Sequence, residues 1–477
     1  MSIKNLNQES SYEWIGTFWF PDKREDIFSG KISYSPDQGI KLSLSTPNAV
    51  KSHEDGFLSK KIMHAVVAGE DHAHITLINV WLSPNVTLGN PTISVLKGGA
   101  ELLVADSWLE NVSFNKMAFE YDDYFNNVFL LSVNKESDAL RFSKSKPINL
   151  SSECTLDLDL FSSGTTMYSA EDLDTVFWSF EEEKLEQLKK VAKPIIEDGC
   201  YSIHRRRENN FVVTLFDGSK GFDSLKEKER IWREFWELIV DHRILIKYVW
   251  VYTPIPHDGD KVTYLRRPAL YSYYRSQGEG GKAPILQNYP INIYSFAEKA
   301  SGLEVVENTI NKWFELSQDK KFKPVMCGIR RALDSVHEMV DTTQFVSLIS
   351  EIETFLDITG QMKTDIDNLI ELYASEDWKE SFFKIANNKS DKETLGKWSQ
   401  GIRNSIVHPK ACQKIAKGKY WEVASDPFHL QKIYAYLSGL YVKAVLLYLG
   451  GINTDHIEQY ILRFIEVRAS YTPIEYG

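Results

Sequence analysis

The segment KISYSPDQGIKLSLS, residues 31–45, decides the fold of the first third of the chain. Apolar side chains alternate with polar ones on both sides of a Pro-Asp-Gln-Gly turn: Ile32 and Tyr34 before it, and Ile40, Leu42 and Leu44 after it. Alternation with a period of two puts one set of side chains on a single face, and two such runs around a short turn are typical of a β-hairpin. The segment therefore predicts two antiparallel strands with one buried face.

Further short strands are indicated on the C-terminal side of this hairpin. HITLINVWL (74–82) and ISVLKGGAELLVADSWL (93–109) repeat the pattern, with Gly, Pro and Asn between the runs. Residues 1–165 are therefore predicted to form a β-rich domain of the sandwich or barrel type. Residues 166–300 mix helical periodicity with strand-like runs such as FVVTLF and ILIKYVWVY. That segment is either a subdomain of its own or a continuation of the β-domain.

Residues 301–477 are predicted to be almost entirely helical. Amphipathic segments such as LEVVENTINKWFELSQ, DTTQFVSLISEIETFLDI and FHLQKIYAYLSGLYVKAVLLYL follow one another with short connections. Short loops between amphipathic helices favour an up-and-down bundle. The fold class expected for the whole chain is α+β and multidomain, with a β-rich N-terminal region followed by an all-α C-terminal bundle.

Composition sets limits on function. The chain has 477 residues, of which 43% are hydrophobic and 25% charged, and 55 Lys and Arg face 66 Asp and Glu, for a net charge of −11. This balance argues against nucleic acid covering the whole surface but permits a local basic site. We found no signal peptide in MSIKNLNQES, no bilayer-spanning stretch, and neither a zinc nor a disulfide pattern among four distant cysteines. We therefore expect a cytoplasmic protein without a membrane anchor, metal or cofactor.

The stretch GIRNSIVHPK, residues 401–410, carries the candidate catalytic residues Arg403, Asn404 and His408. On a helix, Asn404 and His408 lie about 40° apart, whereas Arg403 and His408 lie about 140° apart. Pro409 disfavours the helical conformation at the residue before it, so the helix should end at His408. An apolar stripe is predicted to anchor the other side of this helix in the bundle: Leu395, Trp398, Ile402 and Ile406.

The sequence around this motif is basic. From Thr394 to Trp421 there is no Asp or Glu, while six positions are cationic: Lys397, Arg403, Lys410, Lys414, Lys417 and Lys419. We take Lys397, Lys410, Lys414 and Lys417 as candidate RNA-binding residues, because clustered cations suit a phosphate backbone. A histidine can move protons near neutrality and an arginine can hold a phosphate, which is what cleavage of RNA by its own 2′-hydroxyl requires. Alternatively, His408 only caps a helix C-terminus and the lysines form a solvated face.

Two family resemblances rest on these residues. RNSIVH resembles the R-N-x-x-x-H signature of HEPN ribonuclease domains, and LISEIETFLDI resembles an earlier helix of that family, with Glu353 at a recurring acidic position. A β-rich region followed by such a bundle resembles the ApeA family of bacterial anti-phage proteins, as do the opening EWIGTFWFP and the strand HITLINVWL.

The resemblance implies a metal-independent endoribonuclease of abortive infection that acts as a homodimer or higher homo-oligomer. Arg403 would contact the scissile phosphate, His408 would be the acid and base, and Asn404 would orient the histidine or bind substrate. The expected partners are RNA, with tRNA as one candidate, and a phage-derived trigger at the N-terminal region, which would control the bundle. The alternative is a non-catalytic HEPN module that binds a nucleotide, RNA or protein.

A second Arg-to-His spacing occurs in RALDSVH, with Arg331 and His337. Leu333, Val336 and Met339 keep the helical pattern and no proline follows. We interpret this segment as an ordinary bundle helix that continues through the histidine.

Overall fold

The structure is a computed structural model, and it describes most of the chain. The described residues are 6–47, 58–68, 73–88, 93–110, 114, 116–121, 148–151, 154–163, 167–168, 203–204, 208–217, 221–241, 244–255, 263–272, 302–335, 339–387, 389–390, 392–408 and 417–470. Internal contacts divide the chain into two compact units, and the division falls inside helix α1 (Gly221–Val240). The first unit contains Met1–Glu229 and Ile244–Gln277, and the second contains Arg230–Arg243 and Gly278–Gly477.

The first unit is built on a six-stranded antiparallel barrel. Its strands are β1 (Tyr12–Phe20), β2 (Lys23–Ser35), β3 (Gly39–Thr46), β4 (Leu58–Val67), β5 (Ala73–Leu88) and β6 (Ile93–Ala105). They pair in the order β3-β2-β1-β4-β5-β6, and β3 pairs again with β6 to close the ring. The hairpin predicted from residues 31–45 is confirmed, with Tyr34 opposite Ile40. Of the sandwich or barrel expected from the sequence, the structure forms a barrel.

Closure of the barrel depends on a close approach at Gly98. This residue pairs with Leu42 of β3 on one side and Leu82 of β5 on the other. A β-carbon there would lie 1.9 Å from the carbonyl oxygen of Trp81, so glycine is required where the strand bends between its two neighbours. The interior is filled by alternate side chains of every strand, including Phe18, Ile32 and Leu77, which are fully buried.

Beyond the barrel, the same sheet continues from the second half of β6. The additional strands are β7 (Lys116–Tyr121), β8 (Ile148–Ser151), β9 (Cys154–Ser163), β12 (Glu208–Asp217), β13 (Ile246–Ile255) and β14 (Thr263–Tyr271). Two short strands, β10 (Met167–Tyr168) and β11 (Ile203–His204), form a separate two-stranded sheet. The order of the additional strands from β6 is β14-β13-β7-β12-β9-β8. Strands of the segment predicted as mixed therefore extend the first sheet, which is one of the two alternatives that the sequence leaves open. The predicted boundaries at 165 and 300 stay predictions.

The second unit is helical. After the end of α1 it contains α2 (Gly302–Gln318), α3 (Lys323–Asp334), α4 (Thr342–Ile358), α5 (Ile366–Tyr373), α6 (Glu376–Ile385), α7 (Leu395–Val407), α8 (Lys417–Ser425), α9 (Pro427–Leu449) and α10 (Thr454–Ala469). Its centre is α9, which is buried along most of its length and contacts α5, α3, α6, α4 and α10. No helix in the described part of the chain has the length and apolar character needed to cross a bilayer.

Candidate functional site

The candidate motif lies on α7, whose N-terminus is held by a carboxylate of a neighbouring helix. Thr394 caps the helix by accepting a hydrogen bond from the Lys397 N–H. Asp367, in the first turn of α5, accepts hydrogen bonds from the Thr394 hydroxyl at 2.5 Å and from the Gly396 N–H at 2.8 Å. A β-carbon at residue 396 would lie 2.5 Å from the Asp367 nitrogen. The small residue therefore lets two helices meet closely and fixes where α7 begins.

One side of α7 is anchored in the bundle. Trp398 and Ile402 are fully buried, while Leu395 and Ile406 at the two ends of the predicted stripe are half-buried. The predicted anchoring face is thus confirmed at its centre and is looser at its ends. Burying the Trp398 and Ile402 side chains contributes about 1.5–3 kcal/mol each, which holds the helix in place while its other side stays accessible.

Helix α7 ends at the predicted position, His408. His408 is the C-cap, with φ −124° and ψ 58°, and its N–H donates to the Asn404 carbonyl at 2.9 Å. The His408 ring is exposed and accepts or donates no hydrogen bond within the described residues. Pro409 makes a further helical turn unfavourable at this point. An exposed imidazole at a helix end can reach a ligand without breaking any contact of the fold.

Arg403 lies half-buried one turn before the helix end. Its Nη1 is 3.3 Å from Oδ1 of Asn404, and its Nε is buried without a hydrogen-bond partner among the described atoms. Every other described arginine of the helical unit forms an ion pair with a carboxylate: Arg230 and Arg330 with Glu234, Arg233 with Glu237, Arg331 with Glu351, Arg463 with Glu466, and Arg468 with Asp241. Arg403 is therefore a guanidinium that the described part of the protein leaves without an anion.

Asn404 contacts both of the other residues of the motif, Arg403 and His408. Its side-chain oxygen receives the Arg403 contact, and its backbone oxygen receives the His408 N–H. Within the described structure, no hydrogen bond joins the side chains of Arg403 and His408. The structure thus joins Arg403 to Asn404, and joins His408 to Asn404 through the backbone alone.

The predicted RNA-binding lysines have different positions. Lys397 is exposed on α7 and forms no ion pair with a described residue, and Lys417 is the first residue of α8. Lys410 and Lys414 lie outside the described residues. Lys419, counted among the cations of this stretch, is paired with Glu393 at 2.8 Å. Glu393 directly precedes the acid-free window, so counting charges inside the window overlooked it.

Glu393 is the acidic residue closest in sequence to the motif. Burial raises the pKa of its carboxyl, but hydrogen bonds from Lys419 and Tyr420 outweigh that effect and hold the pKa below its usual range. The bond to Glu393 in turn raises the pKa of Lys419. The pair therefore stays ionised at neutral pH, and Lys419 carries a charge that is already compensated.

The second Arg-to-His spacing gives a correction. Helix α3 ends at Asp334, with Ser335 as its C-cap, so the prediction that it continues through residue 337 is wrong. Arg331 pairs with the buried Glu351 of α4, and His337 lies outside the described residues. Val340, which directly precedes the Asp341 cap of α4, is buried outside any helix, so an apolar residue here does not indicate that α3 continues. On α4, the carboxylate that the structure buries is Glu351, whereas Glu353 is half-buried.

The comparisons with known proteins concern the first unit. Residues 13–175 match the family model of ApeA N-terminal domain 1. The match supports membership of the ApeA family, and this domain suggests a protein of anti-phage defence. It spans the barrel strands and continues through β9 and β10. No curated protein and no solved structure matches the chain.

Proposed function

We propose that the helical unit is a HEPN-type, metal-independent endoribonuclease, and that the β-rich unit controls it in anti-phage defence. The observation that carries this proposal is that Arg403 has no carboxylate partner among the described residues and that an exposed histidine, His408, caps the same helix. In a bundle where the other described arginines are paired, an unpaired guanidinium is suited to bind an anion from outside. Two N–H groups of a guanidinium can donate parallel hydrogen bonds to two oxygens of one phosphate.

The reaction we propose uses the substrate's own 2′-hydroxyl. Neutral His408 takes the proton of that hydroxyl, and the 2′-oxygen attacks the adjacent phosphorus. The bond from phosphorus to the 5′-oxygen breaks, the leaving oxygen takes the proton back from the His408 imidazolium, and a 2′,3′-cyclic phosphate and a 5′-hydroxyl result. Arg403 stabilises the negative charge that develops on the phosphate oxygens. Asn404 keeps Arg403 in place through its side chain.

Several partners follow from this proposal. The substrate is RNA, with tRNA as one candidate, and Lys397 together with Lys410, Lys414 and Lys417 would contact its backbone. The active form would be at least a homodimer, because a single exposed helix end leaves a phosphate largely solvated and weakens each electrostatic contact to it. A phage-derived trigger would act at the N-terminal unit, and the reaction would take place in the cytoplasm.

The test is cleavage of total RNA and purified tRNA by the full-length protein in the presence of EDTA. We expect cleavage to persist and to leave 2′,3′-cyclic phosphate and 5′-hydroxyl ends. His408→Ala should lower the rate about 10²- to 10⁴-fold, as is typical for loss of a general acid or base. Arg403→Ala should lower it by about 10²- to 10³-fold, as for loss of a charge-stabilising donor.

Arg463→Ala is the matched control, because Arg463 is a half-exposed arginine of the same unit that is paired with Glu466. It should keep the activity of the unchanged protein. Products with a 5′-phosphate, or cleavage that EDTA abolishes, would contradict the mechanism. RNA binding without any cleavage, unchanged by His408→Ala, would instead identify a binding module.

A further inference from the structure

A tyrosine of α8 lies against the face of α7 that carries His408. A β-carbon at Gly401 would lie 2.5 Å from Cε1 of Tyr420, so the tyrosine ring fills the space where a side chain would be. Glycine inside a helix costs about 1 kcal/mol relative to alanine, and here the close packing of the ring requires it. Seven residues separate Gly401 from His408, which places them about 20° apart around the helix. The ring therefore packs on the histidine's own face, two turns earlier.

The hydroxyl of the same tyrosine is anchored at the beginning of α7. It donates a hydrogen bond to Oε1 of Glu393, whose other oxygen receives Lys419 Nζ at 2.8 Å. The ammonium of Lys419 also lies over the Tyr420 ring, 4.6 Å from its centre. Burial raises the pKa of the Tyr420 hydroxyl, and so does its bond to Glu393. Tyr420 thus remains a proton donor at neutral pH.

We propose that Tyr420 is a positioning residue for the site formed by Arg403, Asn404 and His408, an inference that rests on the proposed function. Two contacts, the ring on Gly401 and the hydroxyl on Glu393, fix α8 against the face of α7 that carries His408. Helix α8 begins at Lys417, three residues before Tyr420. Tyr420 thereby positions the part of α7 that presents His408 to the phosphate, and it touches no reacting atom itself.

The test compares variants that change one contact each. Tyr420→Phe removes the hydroxyl and keeps the ring, and Glu393→Gln weakens the acceptor. A displacement of about 1 Å at a catalytic group can cost about 10²-fold in rate, so a smaller shift should cost about tenfold. We expect Tyr420→Phe to lower kcat for RNA cleavage about tenfold with KM unchanged, measured well below the unfolding temperature. Adding Glu393→Gln should lower kcat little further, because both variants break the same bond.

The control is Tyr436→Phe. Tyr436 is a half-buried tyrosine of the same unit whose ring stacks on Phe382, and the variant should keep the kcat of the unchanged protein. A Tyr420→Phe variant with normal kcat, or with a loss confined to KM, would overturn the proposal. So would independent, additive effects of the two substitutions.

A readout without RNA separates this proposal from the proposed function. Hydrogen exchange of the His408 amide reports its bond to the Asn404 carbonyl, whether or not the protein cleaves RNA. If the unchanged protein cleaves no RNA, the proposed function fails. In that case faster exchange of this amide in Tyr420→Phe still supports positioning by Tyr420, and unchanged exchange overturns it.

Discussion

Two helices of the same unit carry an arginine near their C-terminal ends, and the two arginines have opposite surroundings. At the end of α10, Arg468 is fully buried and holds Asp241 through two hydrogen bonds of 2.9 and 2.6 Å. At the end of α7, Arg403 is half-buried and makes one contact of 3.3 Å with the amide beside it. The difference separates a structural arginine from one that can serve a ligand. The residue type alone does not indicate which role applies.

The surroundings of Arg468 explain its structural role. Its guanidinium also donates to the backbone oxygens of Ala332 and Leu333 at the end of α3, and it lies 3.4 Å from the centre of the Phe464 ring. The carbonyls at a helix end lack partners within the helix. Arg468 supplies those partners for α3 and binds the residue that follows α1. A single side chain thus holds three helix ends together.

The largest expected effect comes from removing this structural arginine. Arg468→Ala should lower the free energy of unfolding by about 3–5 kcal/mol, because it leaves the largely buried Asp241 carboxylate without its partner. Arg403→Ala should change that free energy by no more than about 0.5 kcal/mol, because it breaks no ion pair and only one long contact. Urea unfolding followed by tryptophan fluorescence measures both. Equal losses of unfolding free energy in the two variants would show that Arg403 stabilises the fold as Arg468 does, and would contradict the distinction between them.

The sequence predicts the local features of this molecule better than its long-range pairs. Alternation around Gly39 is enough to predict the β2–β3 hairpin, because both strands are adjacent in the chain. The same alternation suits a sandwich or a barrel, and the pairing of β3 with β6 that decides between them joins residues far apart in sequence. The choice of a barrel therefore needed the structure.

The candidate site shows the same limit. Trp398, Ile402 and Pro409 predict which face of α7 is buried and where the helix ends, since both depend on near neighbours. The pairing of Arg468 depends on Asp241, which is 227 positions away in the sequence. Local sequence therefore does not distinguish Arg468 from the unpaired Arg403. Tyr420 was missed for a similar reason. The one available signal was Gly401, a glycine inside a helical pattern, which often marks a close contact.

The second prediction is that a substrate phosphate binds Arg403, which has no carboxylate partner in the described structure, in a site shared by two chains. In the dimer we propose, each site combines Arg403 of one chain with His408 of the other around one phosphate. Mixing equal amounts of inactive Arg403→Ala and His408→Ala chains should then restore RNA cleavage. Half of the randomly formed dimers are mixed and each holds one intact site, so about a quarter of the normal activity is expected.

The control for this mixing experiment is each variant alone at the same total concentration, which should stay inactive. Cross-linked homodimers of each variant, unable to exchange chains, should also stay inactive when combined. A mixture no more active than its components, from a protein that is otherwise an active ribonuclease, would place Arg403 and His408 of one chain in the same site.

The smallest expected effect concerns the lysines, where a paired and an unpaired cation again lie near each other. Lys397 is exposed without an ion pair in the described structure, whereas Lys419 is compensated by Glu393. Removing one phosphate contact lowers the slope of log Kobs against log salt by about 0.7 for single-stranded nucleic acid. Lys397→Met should therefore flatten the salt dependence of RNA binding by about that amount. Fluorescence anisotropy in the His408→Ala background, which prevents cleavage, measures it.

The matched control removes the paired charges together. The double variant Glu393→Gln with Lys419→Met leaves the net charge unchanged, so its slope should equal that of the His408→Ala background. This control tests whether a cation that is already paired within the protein contributes to the salt dependence. A slope that Lys397→Met leaves unchanged would show that RNA does not lie along this face of α7. A slope flattened by the double variant would show instead that Lys419 leaves Glu393 and contacts a phosphate when RNA binds. In that case a lysine that forms an ion pair in the free protein could still be an RNA-binding residue.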